Sequence, residues 1–445
     1  MDVTHFNSFL RGGAATAARQ LHRALREEGI NSSFQYQPGQ RSDQSQSELA
    51  EQGFRETHWK KDELLEGIAA KVRFRLHRQK FKRETAARPE GAEVFTSPHG
   101  KPSTRLPAGR DPSRRIVHLH WIAKFIDYPS FFGSLPAGQP VVWTLHDMNA
   151  LTGGCHFSSG CERFRNGCGS CPQLVSDLAE SARLEDVSHR SFRTKQRALE
   201  DINLHVVAPS RWLLEQARHS PILENAKSFR RIPYGMPVDR LFPVDREEAR
   251  RHLGIEADQF VIAFGAMNLA SLRKGAAELH AALKQLKSRR GISCLMFGAG
   301  TVDPNAFPLP VHHAGFLSDD HQRRLAYSAA DVFVLPSLED NLPLTGMESM
   351  ACGTPVIGFA SGGIPDYVTR GETGWLASRG SESELASCLE EAINNTKQVR
   401  EFGKNARRAI SQSFRSDLEA KAYQSLYEQL IGDSASADLP IKRAA

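Results

Sequence analysis

Two carboxylates in the second half of the chain, Asp340 and Glu348, lie on either side of the start of a predicted helix. The apolar run 331–336 predicts a buried strand, which is followed by a loop with Asp340 and a helix with Glu348. Ligands of an open parallel sheet bind beyond the carboxyl ends of its strands, where the N–H groups of Leu344 and Thr345 would face a pyrophosphate. Glu348 could then hold a ribose diol, and Asp340 a sugar hydroxyl. Ordinary cap and helix carboxylates fit the same pattern, so the residues alone leave both interpretations open.

Four cysteines lie close together at Cys155, Cys161, Cys168 and Cys171, and the last two form a Cys-x-x-Cys pair among glycines. Four thiolates can close a tetrahedral zinc site, and all four positions would then be filled by protein. The sequence therefore predicts a structural zinc ion that pins this loop. Unligated thiols and a labile disulfide are the alternatives. The other cysteines are predicted to be core residues: Cys294, Cys352 and Cys388.

Three histidines lie at the ends of predicted strands in the first half of the chain: His118, His120 and His146. His118 and His120 could line a binding cleft beside His146. Because they alternate with apolar residues, packing inside the domain is an equally good interpretation. Trp121 is predicted to pack rather than to stack on a sugar.

The elements around these residues alternate between strands and helices, which predicts parallel sheets in two α/β halves. The first half has predicted strands at 3–8, 32–36, 116–121, 140–145 and 203–208, and a glycine turn at Gly12 and Gly13 opens the helix 14–28. The second half has predicted strands at 260–264, 293–297, 311–314, 331–336 and 356–359, with helices at 275–286, 320–329 and 346–351. The joint is predicted near 233–243.

Length and composition favour a globular protein of two or three domains, since 445 residues contain 40% hydrophobic and 24% charged residues. The net charge of +6 is compatible with an anionic ligand or surface. The N-terminus lacks the pattern of a signal peptide, and no apolar run approaches the ~20 residues of a membrane span. These features predict a cytoplasmic protein.

The segment 38–115 differs from its surroundings because it is polar, charged and rich in proline and glycine towards its end. Within it, 68–82 predicts a strongly basic helix. Such a helix could contact anionic lipid at the inner face of the cytoplasmic membrane through 68–84, or it could be the solvated part of a variable insertion.

The segment from Leu335 to Pro355 resembles the signature of retaining glycosyltransferases of family four, which is marked by two acidic residues separated by seven others. Further matches occur in the family's order: Gly12-Gly13, Thr144-Leu-His146-Asp147, 232–239, Arg273-Lys274-Gly275, 362–366 and 371–374. Together they cover nearly the whole chain except about 40–115. The resemblance implies the GT-B fold, in which two doubly wound Rossmann-like domains face each other across a cleft.

The resemblance also implies how the chain is divided. We expect an acceptor-side domain at 1–235, which carries the insertion at about 40–115 and the cysteine loop at 155–171. A nucleotide-sugar-binding domain follows at 236–415. A helix at 416–432 would cross back to the first domain, and 433–445 would be a flexible tail.

Family knowledge assigns roles to the matching residues. Glu348 would bind the nucleotide ribose, and Asp340 would contact the donor hexose. Lys274, together with Arg273, would neutralise the diphosphate of a UDP- or GDP-sugar, so that no catalytic divalent metal is expected. The N–H groups of Leu344 and Thr345 would support the same diphosphate.

On the acceptor side, Gly12 and Gly13 would let the backbone approach the leaving phosphate, and His146 would position a hydroxyl near the reacting sugar.

Three residues depart from the family pattern. Asp340 is one methylene shorter than the usual Glu, Pro343 replaces a common Gly, and Ala266 replaces a common Arg. The departures put the detailed phosphate contacts in doubt more than the fold.

The implied function is transfer of a hexose, with retention, to a saccharide or lipid-linked acceptor. The cysteine pattern after Thr-Leu-His-Asp-Met resembles a bacterial exopolysaccharide subgroup, colanic-acid-type transferases among them. A GT-B epimerase or phosphorylase, a zinc-stabilised nucleic-acid-binding protein and an inactive scaffold are the alternatives. No nucleic-acid partner is expected, because no groove-entering module surrounds the cysteines.

Overall fold

The computed structural model describes residues 1–37, 39, 45–57, 64–89, 91–100, 106, 111, 114–174, 185–299 and 307–437. The chain divides into two compact units. Unit 1 comprises Met1–Ile232 together with the residues from Glu419 onward, and unit 2 comprises Pro233–Leu418.

Unit 1 is built on a parallel sheet whose described strands are β1 (Asp2–Asn7), β2 (Asn31–Tyr36), β3 (Phe54–Glu56), β4 (Arg115–Leu119), β5 (Val141–Thr144), β6 (Leu204–Ala208) and β7 (Ser228–Arg231). Their order across the sheet is β3-β2-β1-β4-β5-β6-β7. The register pairs His5 of β1 with His118 of β4. It therefore places histidines of two central strands side by side.

The helices of unit 1 are α1 (Gly13–Glu27), α2 (Gln46–Glu51), α3 (Leu64–Glu84), α4 (Tyr128–Phe132), α5 (Val187–Leu199) and α6 (Arg211–Arg218). Helix α5 begins at the N-cap Asp186, whose carboxylate accepts hydrogen bonds from the N–H groups of Ser188 and His189. Buried Leu21 and Leu25 of α1 pack with Val3 and Ile116 of the sheet. The amphipathic period of α1 thus provides one face of the core.

Unit 2 contains a second parallel sheet with strands β8 (Phe260–Asn268), β9 (Ile292–Ala299), β10 (Val311–His313), β11 (Val332–Leu335), β12 (Val356–Phe359) and β13 (Gly374–Ala377). The order is β10-β9-β8-β11-β12-β13. The chain crosses from β10 at one edge to β11 beside β8, so the sheet winds in both directions from β8. Ligands of such sheets bind at the carboxyl ends of the strands on either side of this switch point.

The helices of unit 2 are α7 (Arg246–Leu253), α8 (Ala276–Lys284), α9 (Asp320–Ala329), α10 (Leu344–Ala351), α11 (Glu382–Asn394) and α12 (Thr396–Ser413). Asp331, immediately before β11, receives hydrogen bonds from Arg250 (2.8 Å) and from the N–H of Val261 (2.7 Å). This buried ion pair ties α7 to the start of the two central strands.

The last helix, α13 (Ser416–Ala437), packs against the sheet of unit 1. The hydroxyl of Tyr427 lies 2.7 Å from His118 Nδ1, and that of Tyr423 lies 2.6 Å from Thr144 Oγ1. Because α13 continues to Ala437, the start of the predicted tail 433–445 is helical. The part of that tail from 438 lies outside the described residues.

The structure confirms the predicted alternation of strands and helices, and it adds β3, β7 and β13. Strand β3 lies within the stretch predicted as an insertion, where Phe54 is buried in a cluster with Phe34 and Leu49. A short edge strand with one buried aromatic residue has too little periodicity to be found in a polar sequence. Residues 54–56 are therefore part of the sheet rather than of an inserted segment.

The predicted basic helix is confirmed as α3, which is longer at both ends than predicted. Two of its apolar residues, Val72 and Leu76, are 48% and 60% exposed, whereas Phe74 and Phe81 are half-buried. No helix in the described part of the chain is long and apolar enough to cross a membrane.

Candidate functional site

Asp340 is the centre of a buried ion-pair cluster in the loop between β11 and α10. Its Oδ2 atom accepts a hydrogen bond from Lys274 Nζ at 2.5 Å and lies 3.4 Å from Arg273 NH1. Burial alone would raise the pKa of Asp340, but the charges of Lys274 and Arg273 outweigh it and lower that pKa. Three of the predicted donor-binding residues are therefore brought together, with Asp340 ionised.

The two cations reach Asp340 because the turn after β8 lies directly against the loop after β11. Gly275 has a φ of 76°, and a Cβ atom on it would lie 1.8 Å from the carbonyl oxygen of Pro336. The N–H of Leu338 donates to the carbonyl oxygen of Arg273 at 2.9 Å, and Arg273 NH1 donates to the carbonyl oxygen of Glu339 at 2.7 Å. Only glycine permits this close approach, which explains why a glycine follows Arg273 and Lys274.

Glu348 lies in the second turn of α10 and is almost completely buried. Its Oε2 atom accepts a hydrogen bond from the hydroxyl of Tyr327 at 2.9 Å. Burial raises the pKa of Glu348, and the charge of Arg323 offsets part of that rise. Sequence reasoning missed Tyr327, because a tyrosine inside a helix gives no signal that distinguishes it from a core residue.

Helix α10 begins with N–H groups that no side chain caps. Pro343 is its N-cap residue, and Leu344 and Thr345 are the first two helical residues. Proline has no backbone N–H, but Pro343 precedes the helix. The residues of the helix itself therefore keep their N–H groups. The other departure, Ala266, is buried in β8 and brings no charge to this region.

In unit 1, Gly12 and Gly13 form the start of α1. Gly12 is the N-cap with a φ of 102°, which favours glycine, and its carbonyl oxygen accepts the N–H of Thr16 at 2.8 Å. No side chain caps this helix either. Its first N–H groups and its dipole can therefore stabilise an anion.

His146 follows β5 and belongs to a chain of hydrogen-bonded imidazoles. His146 Nε2 lies 3.0 Å from His120 Nδ1, and His120 Nε2 lies 2.9 Å from His5 Nδ1. Burial lowers the pKa of His146 to about 4, despite the opposite influence of Asp147. His146 is therefore a neutral ring at pH 7, and His120 constrains its orientation and tautomer.

Among the described residues, one group has possible metal-ligand atoms that all lie within 4.8 Å of one another: His5 of β1, His118 of β4 and His120 just after β4. Both nitrogens of His118 already have partners, Thr144 and Tyr427. Those of His120 are bonded to His5 and His146. A metal ion would have to break these bonds, so we interpret the group as neutral, hydrogen-bonded core histidines. Of the two interpretations of His118 and His120, packing is the one that the structure supports.

A second polar network beside His146 was not found from the sequence. Asp147 Oδ2 accepts from Trp121 Nε1 at 2.7 Å and lies 2.6 Å from His156 Nδ1. His156 Nε2 lies 2.9 Å from Thr96 Oγ1. Trp121 thus packs against this network, as predicted, and it also donates a hydrogen bond.

The four clustered cysteines are free thiols that line one cavity of unit 1. Cys155 is buried, whereas Cys161, Cys168 and Cys171 are half-buried. They do not belong to the group within 4.8 Å described above, so their sulfur atoms are not drawn together to coordination distance. The remaining cysteines are buried as predicted: Cys294, Cys352 and Cys388.

Comparison with known families matches the stretch of chain that contains the ion-pair cluster. Residues 245–409 match the family model described as glycosyl transferases group 1. This stretch is a group 1 glycosyltransferase domain. The group 1 domain contains the whole cluster around Asp340 and also Glu348.

Curated relatives match the chain at low identity and over part of its length. A D-inositol 3-phosphate glycosyltransferase from Mycobacterium tuberculosis is 25% identical over 62% of this chain and 54% of its own length. The D-inositol 3-phosphate glycosyltransferase 2 of Catenulispora acidiphila is 28% identical over 39% of this chain and 44% of its own length. An N-acetyl-alpha-D-glucosaminyl L-malate synthase of Bacillus anthracis is 29% identical over 25% of this chain and 29% of its own length. The chain thus spans about half or less of these relatives, and none of the three names an exopolysaccharide.

Solved structures that resemble the chain show its fold. The sucrose-phosphate synthase of Thermosynechococcus elongatus has a TM-score of 0.62 at 19% identity and covers 97% of this chain and 100% of its own. HepE of Anabaena, solved in complex with UDP and glucose, has a TM-score of 0.61 at 16% identity and covers 96% and 100%. Together with the two parallel sheets, these matches show that the chain has the GT-B fold, as predicted.

Proposed function

We propose that this protein is a retaining glycosyltransferase that transfers a hexose from a nucleotide-diphosphate sugar to a saccharide or lipid-linked acceptor. One observation carries the proposal. Inside the group 1 domain, Asp340 pairs with Lys274 and Arg273 at the carboxyl edge of the sheet, beside the uncapped start of the helix that contains Glu348. Fixed cations, N–H dipoles and two carboxylates are the groups that a sugar nucleotide requires.

In this proposal Lys274 and Arg273 stabilise the negative charge that develops on the departing diphosphate, together with the first N–H groups of α10. Glu348 accepts hydrogen bonds from the ribose, and Asp340 accepts one from a hexose hydroxyl. The bond between C1 of the hexose and the phosphate oxygen breaks, and a bond from the acceptor oxygen to C1 forms on the same face. The proton of the acceptor hydroxyl passes to the departing phosphate.

Unit 1 supplies the acceptor side in this proposal. The uncapped start of α1 at Gly12 and Gly13 offers N–H groups to a phosphate, and the neutral ring of His146 orients a hydroxyl. The names of the curated relatives add an inositol phosphate to the candidate acceptors, and the resemblance of the cysteine loop favours a growing polysaccharide. Both acceptors are polyols, so an acceptor screen must include them.

The test is a donor-binding and turnover experiment on the full chain. UDP-, GDP- and ADP-sugars are compared for thermal stabilisation, since a ligand at 100 times its Kd stabilises the folded state by about 2.7 kcal/mol. Glu348→Ala should abolish this stabilisation and the transfer reaction, whereas Glu391→Ala, an exposed glutamate of α11, should leave both unchanged. Near-wild-type turnover of Glu348→Ala would contradict the site assignment.

The products of the same assay separate this proposal from the enzyme alternatives. A transferase releases nucleoside diphosphate and a glycosylated acceptor with the anomeric configuration of the donor. An epimerase would convert one sugar nucleotide into another without an acceptor, and a phosphorylase would require inorganic phosphate. Either of these results, or inversion of the anomeric configuration at C1, would contradict the proposal.

We also propose that α3 contacts an anionic membrane surface. Val72 and Leu76 lie one turn apart and are both exposed, and the basic residues Arg73, Arg75 and Lys80 of the same helix are exposed as well. The full chain should sediment with vesicles containing phosphatidylglycerol and not with phosphatidylcholine vesicles. The double variant Val72→Ser and Leu76→Ser should lose this binding. Equal sedimentation of the variant would contradict the proposal.

A further inference from the structure

The cysteine cluster, defined as Cys155, Cys161, Cys168 and Cys171, has no part in the proposed transfer reaction. The four residues come from two turns of the segment after β5, and all of them line the same cavity. Cys155 is held by an antiparallel bridge to Phe95. Four thiols facing one space form a complete donor set for a tetrahedral ion.

Backbone N–H groups point at the sulfur atoms of this cluster. The N–H of Gly153 donates to Cys168 Sγ at 3.3 Å, and a backbone hydrogen bond from Gln173 reaches the sulfur of Cys171. Burial raises the pKa of both thiols, and these N–H groups act in the opposite direction because they stabilise the negative charge of a thiolate.

The turn that contains Cys168 is held in an unfavourable backbone conformation. Gly167, Cys168, Gly169 and Ser170 have φ values of 96°, 56°, 105° and 45°. Each non-glycine residue in this region costs about 1–2 kcal/mol, so the surroundings must hold the turn in place. The N-terminus of α5 provides part of that support.

Asp186, the N-cap of α5, and Ser188, in the first turn of α5, anchor this segment. Asp186 Oδ2 accepts the N–H of Cys171 at 2.7 Å. Ser188 Oγ accepts the N–H of Gly169 at 3.0 Å. The segment is thus held in the shape that presents two cysteines to one cavity.

Two cations lie beside the cluster, and among the described residues their hydrogen bonds go to neutral oxygens. The Nζ of the fully buried Lys195 donates to Asn149 O (2.5 Å), Asn149 Oδ1 (3.4 Å) and Thr152 O (3.0 Å), and its charge interacts with Cys155, Cys168 and Asp147. Arg88 donates to the carbonyl oxygens of Gln173 and Glu93 and lies over the ring of Phe95. A buried cation requires nearby negative charge.

We propose that the cysteine cluster binds one Zn²⁺ ion as a structural tetrathiolate centre. Four thiols lose four protons to the solvent, and the product has a net charge of −2, because Zn²⁺ contributes +2 and the thiolates −4. Lys195 and Arg88 place positive charge beside it, and the carboxylates of Asp147, Glu93 and Asp186 act in the same region. Binding draws the sulfur atoms to about 2.3 Å from the ion, closer together than in the present structure.

The centre would also fix the network beside His146. Cys155 is followed by His156, whose Nδ1 atom lies 2.6 Å from Asp147, and Met148 N–H donates to the carbonyl oxygen of His156 at 2.9 Å. A zinc ion on Cys155 therefore holds His156 and, through it, Asp147. This consequence for turnover rests on the proposed function, whereas zinc binding itself does not.

The experiment measures metal content on the full chain, purified under reducing conditions without chelator and then equilibrated with Zn²⁺. Wild type should contain about one zinc per chain by elemental analysis. Cys161→Ser, a change at a half-buried position, and Cys171→Ser should lose it, while Cys388→Ser, a change of a buried cysteine in unit 2, should retain it. Because a variant can fail to fold, Co²⁺-loaded wild type provides a second measurement, and we expect the absorption bands of a tetrahedral tetrathiolate.

Three results would overturn the proposal: wild type without zinc after equilibration, a disulfide within the cluster shown by mass spectrometry of the freshly isolated protein, or Cys171→Ser with full zinc content. An octahedral Co²⁺ spectrum would do the same. If zinc is bound but no sugar nucleotide is used, the zinc proposal stands and the proposed function fails.

Discussion

Glu348, the proposed ribose-binding residue, lowers the stability of the fold at neutral pH. Its carboxylate is buried, its hydrogen bond comes from the neutral hydroxyl of Tyr327, and burial raises its pKa above the ordinary value of 4.5. The folded state therefore binds this proton more tightly than the unfolded state does. Above pH 4.5 the penalty for ionising Glu348 grows, and it is complete above the pKa of the folded state.

We expect Glu348→Gln to raise the melting temperature at pH 7, since the penalty for ionising a buried carboxylate is removed; each 1 kcal/mol gained would appear as roughly 2–4 °C. Glutamine keeps the shape and can accept the hydrogen bond of Tyr327. The gain should shrink as the pH falls to 4. Thermal unfolding at several pH values measures it, with Glu391→Gln as the exposed control. A lower melting temperature at pH 7 would show that the carboxylate stabilises the fold.

The histidines on α1, β1, β4 and the end of β5 make unit 1 sensitive to acid. Burial lowers the pKa values of His22 and His146 to about 4, and it lowers those of His5, His118 and His120 well below the ordinary value of 6.5. Each group takes up a proton on unfolding between its folded pKa and about 6.5. Stability is therefore highest above pH 6.5 and falls as the pH drops towards 4.

At the scale of these elements, we expect His22→Asn to make the free energy of unfolding less dependent on pH. Between pH 6 and 4.5 the slope should fall by about one proton, or about 1.4 kcal/mol per pH unit. The ring of His22 is bonded to Ser32 and to the carbonyl oxygen of Gln52, and the variant removes its titration. Urea unfolding at a series of pH values gives the slope. His219→Asn, at an exposed position, serves as the control. An unchanged slope in His22→Asn would contradict the assigned cause.

Helix α13 completes the core of unit 1 from the far end of the chain. Tyr423, Leu426 and Tyr427 are completely buried, and Tyr427 provides the partner of His118 Nδ1. We expect Tyr427→Phe to cost about 1–3 kcal/mol, because a buried imidazole nitrogen loses its partner. Chemical denaturation measures the loss, and Ser425→Ala on the exposed face should be neutral. A loss below the error of the measurement would mean that His118 finds another partner.

For the molecule as a whole, the assignment of phosphate charge to Lys274 and Arg273 predicts how turnover depends on metal ions. Turnover should be the same with EDTA and with Mg²⁺ in the assay, because these side chains provide the positive charge. EDTA is added only during the assay, so that a slowly exchanging structural zinc is retained. Steady-state rates measure the effect, and strict dependence on Mg²⁺ or Mn²⁺ would contradict the assignment.

Much of the architecture could be predicted locally. The apolar runs of β8, β9 and β11 and the period of α1 predict two parallel α/β halves, because burial on both faces of a strand leaves a continuous hydrophobic signal. Edge strands such as β3, with one buried residue, leave almost none. The acidic pair Asp340 and Glu348 and the turn at Lys274-Gly275 could also be predicted, because charged groups that could bind a ligand are identified by residue type alone.

From hydrophobic period and spacing, the sequence by itself predicted two parallel α/β halves and the four-cysteine set, and its resemblance to retaining glycosyltransferases of family four implied the GT-B fold. Only the tertiary structure decided which groups meet. It paired Asp340 with Lys274 across 66 residues, placed Tyr327 on Glu348, and brought Tyr427 to His118 from 309 residues away. Contacts over such separations depend on how sheets and crossing helices pack, and local pattern carries no record of them.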